Sequence, residues 1–84
     1  MPDPVEPRDR LGRTFSDYVA DQVMAAAIDS GMSIRALARA SGLERTGLQD
    51  RLNGVRSFNL DHLARIAAVL ELNPCVFTAG FEPV

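Results

Sequence analysis

The sequence contains no lysine; all nine of its basic residues are arginine. A Gly-rich nucleotide-phosphate loop needs a lysine to reach the phosphates, so that chemistry is excluded. There is one cysteine, Cys75. No intramolecular disulfide and no cysteine-based metal cage can form, and a reducing, cytoplasmic setting is expected. There is one histidine, His62. With no His/Cys/acid cluster at ligand spacing and no Ser/His/Asp order that a fold would bring together, no enzyme activity, metal or cofactor is expected. No apolar run approaches the roughly 18–20 residues of a membrane span. The start, Met1-Pro2-Asp3-Pro4-Val5-Glu6-Pro7, is acidic and Pro-rich and does not read as a signal peptide. An excess of positive charge is also lacking. The net charge is -2 and the pI about 5.2, whereas a generic polycationic nucleic-acid binder has a pI above about 9.

What is present suits one small globular domain. The chain has 84 residues, 46% of them apolar and 24% charged, which is too apolar for wholesale disorder. A domain of this size has a thin margin of stability. Residues 1–13 read as a flexible arm, residues 14–80 as the folded domain and residues 81–84 as a tail. The spacing predicts a first helix from Thr14, with a Thr14–Asp17 capping box, an apolar face of Phe15, Val19, Val23 and Ala26, and a stop at Gly31. A second helix starts at the N-cap Ser33 and stops near Ala40, with Ile34, Leu37, Ala38 and Ser41 on one face. A third covers about Glu44 to Asn53, with Leu48 and Leu52 inward and Asn53-Gly54 at its end. Gly47 inside it costs about 1 kcal/mol relative to Ala, which predicts close approach to the second helix or to a ligand. A fourth helix follows the N-cap Asn59 over about 60–71, with Leu60, Leu63, Ile66, Ala67 and Leu70 inward. Asn73-Pro74 opens a fifth over about 74–79. The fold class is all-α, a compact five-helix bundle. Met24 and Met32 are core filling, Cys75 a partly buried residue of the last helix, and His62 a surface residue.

The diagnostic stretch is Ser33-Ile34-Arg35-Ala36-Leu37-Ala38-Arg39-Ala40-Ser41-Gly42-Leu43-Glu44-Arg45-Thr46-Gly47-Leu48. A small Ala38 permits a close helix crossing, Gly42 supplies a sharp turn, and Leu48 plugs the following helix into a core shared with Leu37 and Leu43. This stretch resembles the helix-turn-helix of the Cro and lambda-type phage repressor family. Asn53-Gly54, the segment Leu60 to Leu70 and the segment Leu72 to Phe77 are similar to later parts of the same domain. The resemblance implies a lambda-repressor-like DNA-binding domain over about 14–80. Three positions depart from the family. Ile34 stands where a phosphate-contacting Gln is common, with Arg35 the nearest substitute. Arg51 stands where an apolar residue is common, with its stem expected along the core edge and its head in solvent. His62 stands where a Glu usually completes the cap of the fourth helix.

The resemblance implies that the third helix enters the major groove of a double-stranded DNA operator while the second crosses the backbone. Arg45 is then a candidate for guanine O6/N7, Gln49 for adenine N6/N7, and Thr46 for a thymine methyl or a phosphate. Glu44 and Asp50 are candidates for cytosine N4 or for repelling wrong contacts. Ser33, Arg35, Arg39, Asn53 and Arg56 are candidate backbone contacts, together with the N–H groups that start the second helix. Plain solvated surface is the alternative for Arg45 and Asp50, and a solvated stripe for Arg35 and Arg39. A homodimer would use the apolar Val76, Phe77 and Phe81. Two functions stay open: a small Cro-type transcriptional repressor, and an antitoxin or anti-regulator that uses the same fold to bind protein. The acidic balance and the exposed tail favour the second, but the distribution of charge weakens the objection to the first. Residues 30–60 carry five Arg and two acids, while residues 1–29 carry three Arg and six acids. The acidic total therefore hides a basic middle third that coincides with the second and third helices.

Overall fold

The computed structural model describes residues 7–82. It places four α-helices, α1 (Pro7–Ser30), α2 (Ile34–Ser41), α3 (Arg45–Leu52) and α4 (Leu60–Leu70), followed by a 3-10 turn at Pro74–Phe77. There are no strands among the described residues.

α1 begins seven residues before Thr14. Proline suits the first helical position, where its missing N–H has no partner to lose and its fixed φ fits the helix. Pro7 therefore starts α1 rather than preventing it, and residues 7–13 are helical instead of a flexible arm. Residues 1–6 of the expected arm lie outside the described residues. Thr14 sits inside the helix, so the Thr14–Asp17 pair is not a capping box. The buried stripe runs Val19, Val23, Ala27 at strict i, i+4 spacing, with Ala20 beside it; Ala27, not Ala26, continues it. Gly31 ends the helix at φ +77°.

α2 packs against α3 and α4, and α1 lies across α3, α4 and the 3-10 turn. The core they enclose holds Val23, Leu37, Leu48, Ile66 and Phe77, all essentially without solvent contact. Met24, Met32, Leu43 and Leu70 pack around its edge. Leu60 does not join it. As the first residue of α4 it is 82% exposed, and the inward stripe of that helix starts at Leu63.

α4 ends at Leu70, one residue short of the expectation, because Glu71 adopts the left-handed conformation at φ 58°. The Leu72 N–H then reaches back to the Ala67 carbonyl at 2.8 Å, closing the helix end. The expected fifth helix is a single 3-10 turn. Asn73 Oδ1 accepts from the Cys75 N–H at 2.9 Å, and Pro74 takes the first position. At three residues per turn, side chains at i and i+3 eclipse. The turn aims Phe77 into the core and leaves Cys75 exposed rather than partly buried.

After the turn the chain folds back on α1. Tyr18 Oη donates to the Ala79 carbonyl at 2.6 Å. The Phe81 ring lies 4.8 Å from Phe15 and 5.5 Å from Tyr18, centroid to centroid. Gly80, at φ +86°, passes so close that a Cβ there would fall 2.9 Å from Tyr18 Oη. This corrects the expected dimer surface. Phe77 is a core residue and Phe81 is engaged within the chain, leaving only Val76 of that trio substantially exposed. Pro83 and Val84 lie outside the described residues.

Glu71 supplies a test. A non-glycine residue pays roughly 1–2 kcal/mol in the left-handed region, part of which glycine returns through its looser unfolded chain. Glu71→Gly is expected to raise the unfolding free energy by about 0.5–1 kcal/mol, read from urea midpoints. No gain would mean that the Glu71 side chain makes a compensating contact.

Candidate nucleic-acid interface

Local chemistry sets the α2–α3 corner. Ser33 Oγ accepts from the Ala36 N–H at 3.1 Å, satisfying one of the free donors at the start of α2. Its own hydroxyl hydrogen stays available. Gly42 takes φ +73°, and the Leu43 N–H returns to the Ala38 carbonyl at 2.9 Å. Ala38 is buried where the helices meet. The buried Ser41 hydroxyl is satisfied by the Leu37 carbonyl at 2.6 Å. Arg65 on α4 overlies the corner: a Cβ on Gly42 would lie 3.2 Å from its Nη1. Arg65 is held there by Asp61, at 2.9 Å.

Leu48 and Leu52 are buried as expected. Arg45, Gln49 and Asn53 follow one another at i, i+4 along α3, with Thr46 one turn before Gln49, so the four share a stripe. Arg45, Thr46 and Asn53 are exposed and Gln49 is half-buried. Gln49 Nε2 donates to Asn53 Oδ1 at 3.2 Å, which leaves the Gln49 carbonyl and the Asn53 amide hydrogens free for a ligand. Glu44 is the N-cap residue, but its side chain makes no capping bond. Ser33, Arg35 and Arg39 are exposed on α2. Asp50 is occupied. Its carbonyl accepts from the Val55 N–H at 2.8 Å and its carboxylate stands 4.0 Å from Arg56 Nε, so it organises the 54–58 loop. Arg56 itself remains exposed.

Arg51 and Gly47 are coupled on α3. The Arg51 head folds back along α3 so that Nη1 donates to the Gly47 carbonyl at 2.9 Å, with Nε buried and unpaired, while the residue as a whole stays partly exposed. Gly47 makes room for this. A Cβ there would sit 3.0 Å from that Nη1, while the next nearest atom, the Glu44 Cβ, is 4.0 Å away. No atom of α2 lies within 4 Å of that Cβ position.

Asp17 and Ser57 escaped the sequence reading, and His62 was placed at the cap without its bond. Asp17 reaches the loop from α1, its Oδ1 lying 3.4 Å from where a Gly54 Cβ would be, and it lines a shallow cleft with Asn53 and Arg56. The acids are therefore not all remote from the basic third. Ser57 ties the same loop to α1 through a 2.8 Å hydrogen bond with Ser16. His62 completes the capping box of α4: Asn59 Oδ1 accepts from the His62 N–H at 2.8 Å, and His62 Nδ1 accepts from the Asn59 N–H at 3.2 Å. Only the capping-box spacing of Asn59 and His62 was available to signal this; Asp17 and Ser57 are joined to the site by tertiary packing alone.

A short helix carried across another by a glycine corner, with its polar stripe outward beside exposed arginines, defines a helix-turn-helix DNA-binding domain. The chain belongs to the Cro/C1-type HTH DNA-binding domain family, which it matches over residues 23–75. No curated protein matches it. Among the described residues, no group of three or more His, Cys, Asp or Glu is placed to hold a metal ion, and no helix is long and apolar enough to cross a membrane.

Gly47→Ala checks the local account. An Ala in a helix interior gains about 1 kcal/mol over Gly, and only the flexible end of Arg51 must move. Thermal unfolding is expected to show a net stabilisation. A loss of more than about 1 kcal/mol would mean that the Arg51–Gly47 bond outweighs helix propensity.

Proposed function

We propose that the chain is a sequence-specific transcriptional regulator, a small repressor of the Cro type from a phage or bacterium. In this reading α3 lies in the major groove and α2 crosses the DNA backbone. The observation that carries it is the outward polar stripe of Arg45, Thr46 and Gln49 on α3, flanked by exposed Arg35, Arg39 and Arg56. Arg45 and Gln49 read base edges, to guanine and adenine respectively. Ser33, Arg35, Arg39, Asn53 and Arg56 contact phosphates. Asp50 acts through Arg56 rather than on a base, and Glu44, uncommitted at the cap, accepts from cytosine or repels wrong partners. Two copies on a near-palindromic site would sit about 34–36 Å apart, and the bound protein represses by occluding a promoter.

The competing reading, an antitoxin or anti-regulator, drew its support from the acidic net charge and an exposed apolar tail. With Phe77 buried and Phe81 packed on Phe15 and Tyr18, the tail's share of that support is reduced.

Selection from random duplexes with the purified protein supplies the site. On it, the Arg45→Ala/Gln49→Ala double variant is expected to lose at least about 100-fold in specific affinity, since each bidentate base contact is worth about 1–3 kcal/mol. Its melting temperature should barely move, because neither side chain is in the core. Retained preference for the same site would show that α3 is not the reader. Asp17→Asn is expected to tighten binding about two- to fivefold at low salt, with the gain fading as salt screens it. An unchanged affinity would place Asp17 away from the phosphates.

A further inference from the structure

We propose that His62 is a positioning residue for the DNA-facing surface: its neutral imidazole clamps the end of the 54–58 loop, and protonation releases it. The proposal rests on the DNA-binding reading above and names a determinant of that same surface.

The geometry is specific about the proton. Nδ1 accepts from the Asn59 N–H at 3.2 Å, and a ring nitrogen accepts only through a lone pair. In the imidazolium both ring nitrogens carry hydrogen, so an N–H would face an N–H. The Phe58 ring stands edge-on to the imidazole at 6.4 Å. His62 thus touches the last two residues before α4. The other end of the loop is fixed by Asp50, through the Val55 N–H and Arg56, and its middle by the Ser57–Ser16 bond. Arg56, the loop's cation, hangs between these anchors.

The surroundings oppose a second charge. The charges acting on the ring are Arg51 from α3 and, from its own helix, Asp61 and Arg65. Burial and Arg51 hold the imidazole below its usual value of 6.5, with Arg65 adding to this and Asp61 opposing it. Asp61 is already engaged by Arg65 at 2.9 Å, and Arg51 has no acid partner among the described residues. A histidine that binds its proton less well folded than unfolded gives stability that is complete above pH 6.5 and is lost as pH falls through the lower folded value. His62 is the one histidine of the chain. The His62→Gln variant therefore separates its response from that of every other group.

The sign separates positioning from simple charge. A new cation near the surface would by itself strengthen phosphate binding; release of the loop weakens it. The test measures affinity of the full chain for its selected duplex from about pH 7.5 to 5.5 at constant ionic strength. It compares His62→Gln, since Gln at this position completes a capping box without titrating. The backbone amides of Asn59 and Arg56 are followed by NMR over the same range. The expected result is a loss of about fivefold for the native chain, the worth of one helix cap, and a flat profile for His62→Gln. The Asn59 and Arg56 amides should move with the His62 ring. Constant or rising native affinity, parallel falls in both proteins, or amides that ignore the ring would overturn the proposal. If the chain binds no duplex at neutral pH, the DNA reading is what fails, and the amide titration decides alone whether His62 clamps the loop.

Discussion

The inner face of α3 places its outer face. Eight residues are too few to form a helix in water unaided, because the nucleation cost is repaid only over longer runs. α3 also carries a glycine at its middle and no side-chain cap at its start. It exists because Leu48 and Leu52 are buried against the remaining helices. That burial sets the rotation of α3, and with it the direction in which Arg45, Thr46, Gln49 and Asn53 project. Ala38 and Gly42 matter because they let α3 come close enough for those leucines to reach the core.

Much of this was legible in the sequence, where the information is local. Ser33, Gly42, Gly54 and Asn59 place the ends of α2, α3 and α4 to within a residue or two, since caps and turns are decided by chemistry between near neighbours. The core stripes largely followed from periodicity, apart from Leu60 at a helix start and Phe15 and Ala26 on α1. What was missed required the third dimension. Pro7 reads as a breaker until its place at the first turn is known. The bond from Arg51 to the Gly47 carbonyl is invisible until the gap over Gly47 is seen. Phe77 and Phe81 read as free apolar surface until α1 is laid beside them. Of the candidate contact residues, the structure leaves Arg45, Thr46, Asn53, Arg56 and the α2 arginines exposed and assigns Asp50 to the loop.

The charge distribution also gained a correction. The basic middle third is real, but folding returns Asp17 to its edge beside Gly54. A surface with few cations and an acid at its margin attracts DNA weakly without regard to sequence. Under the proposed function, discrimination then falls to the few side chains on α3. An all-arginine basic set suits this, since the guanidinium's planar fork matches guanine edges and phosphates alike.

The closure of the chain on α1 affects the order in which the fold can be completed. Tyr18 and Ala79 are separated by 61 positions, and Phe77, one of the last described residues, fills the centre of the core. Pairings this distant in sequence carry a loop-closure cost that local helix formation does not. On a ribosome, α1 emerges first yet waits for nearly all of the remaining described chain before its apolar stripe is covered. The nascent helix-turn-helix is thus present in sequence well before it is held in shape, and the outward stripe of α3 acquires its final orientation only when the last aromatic residues arrive.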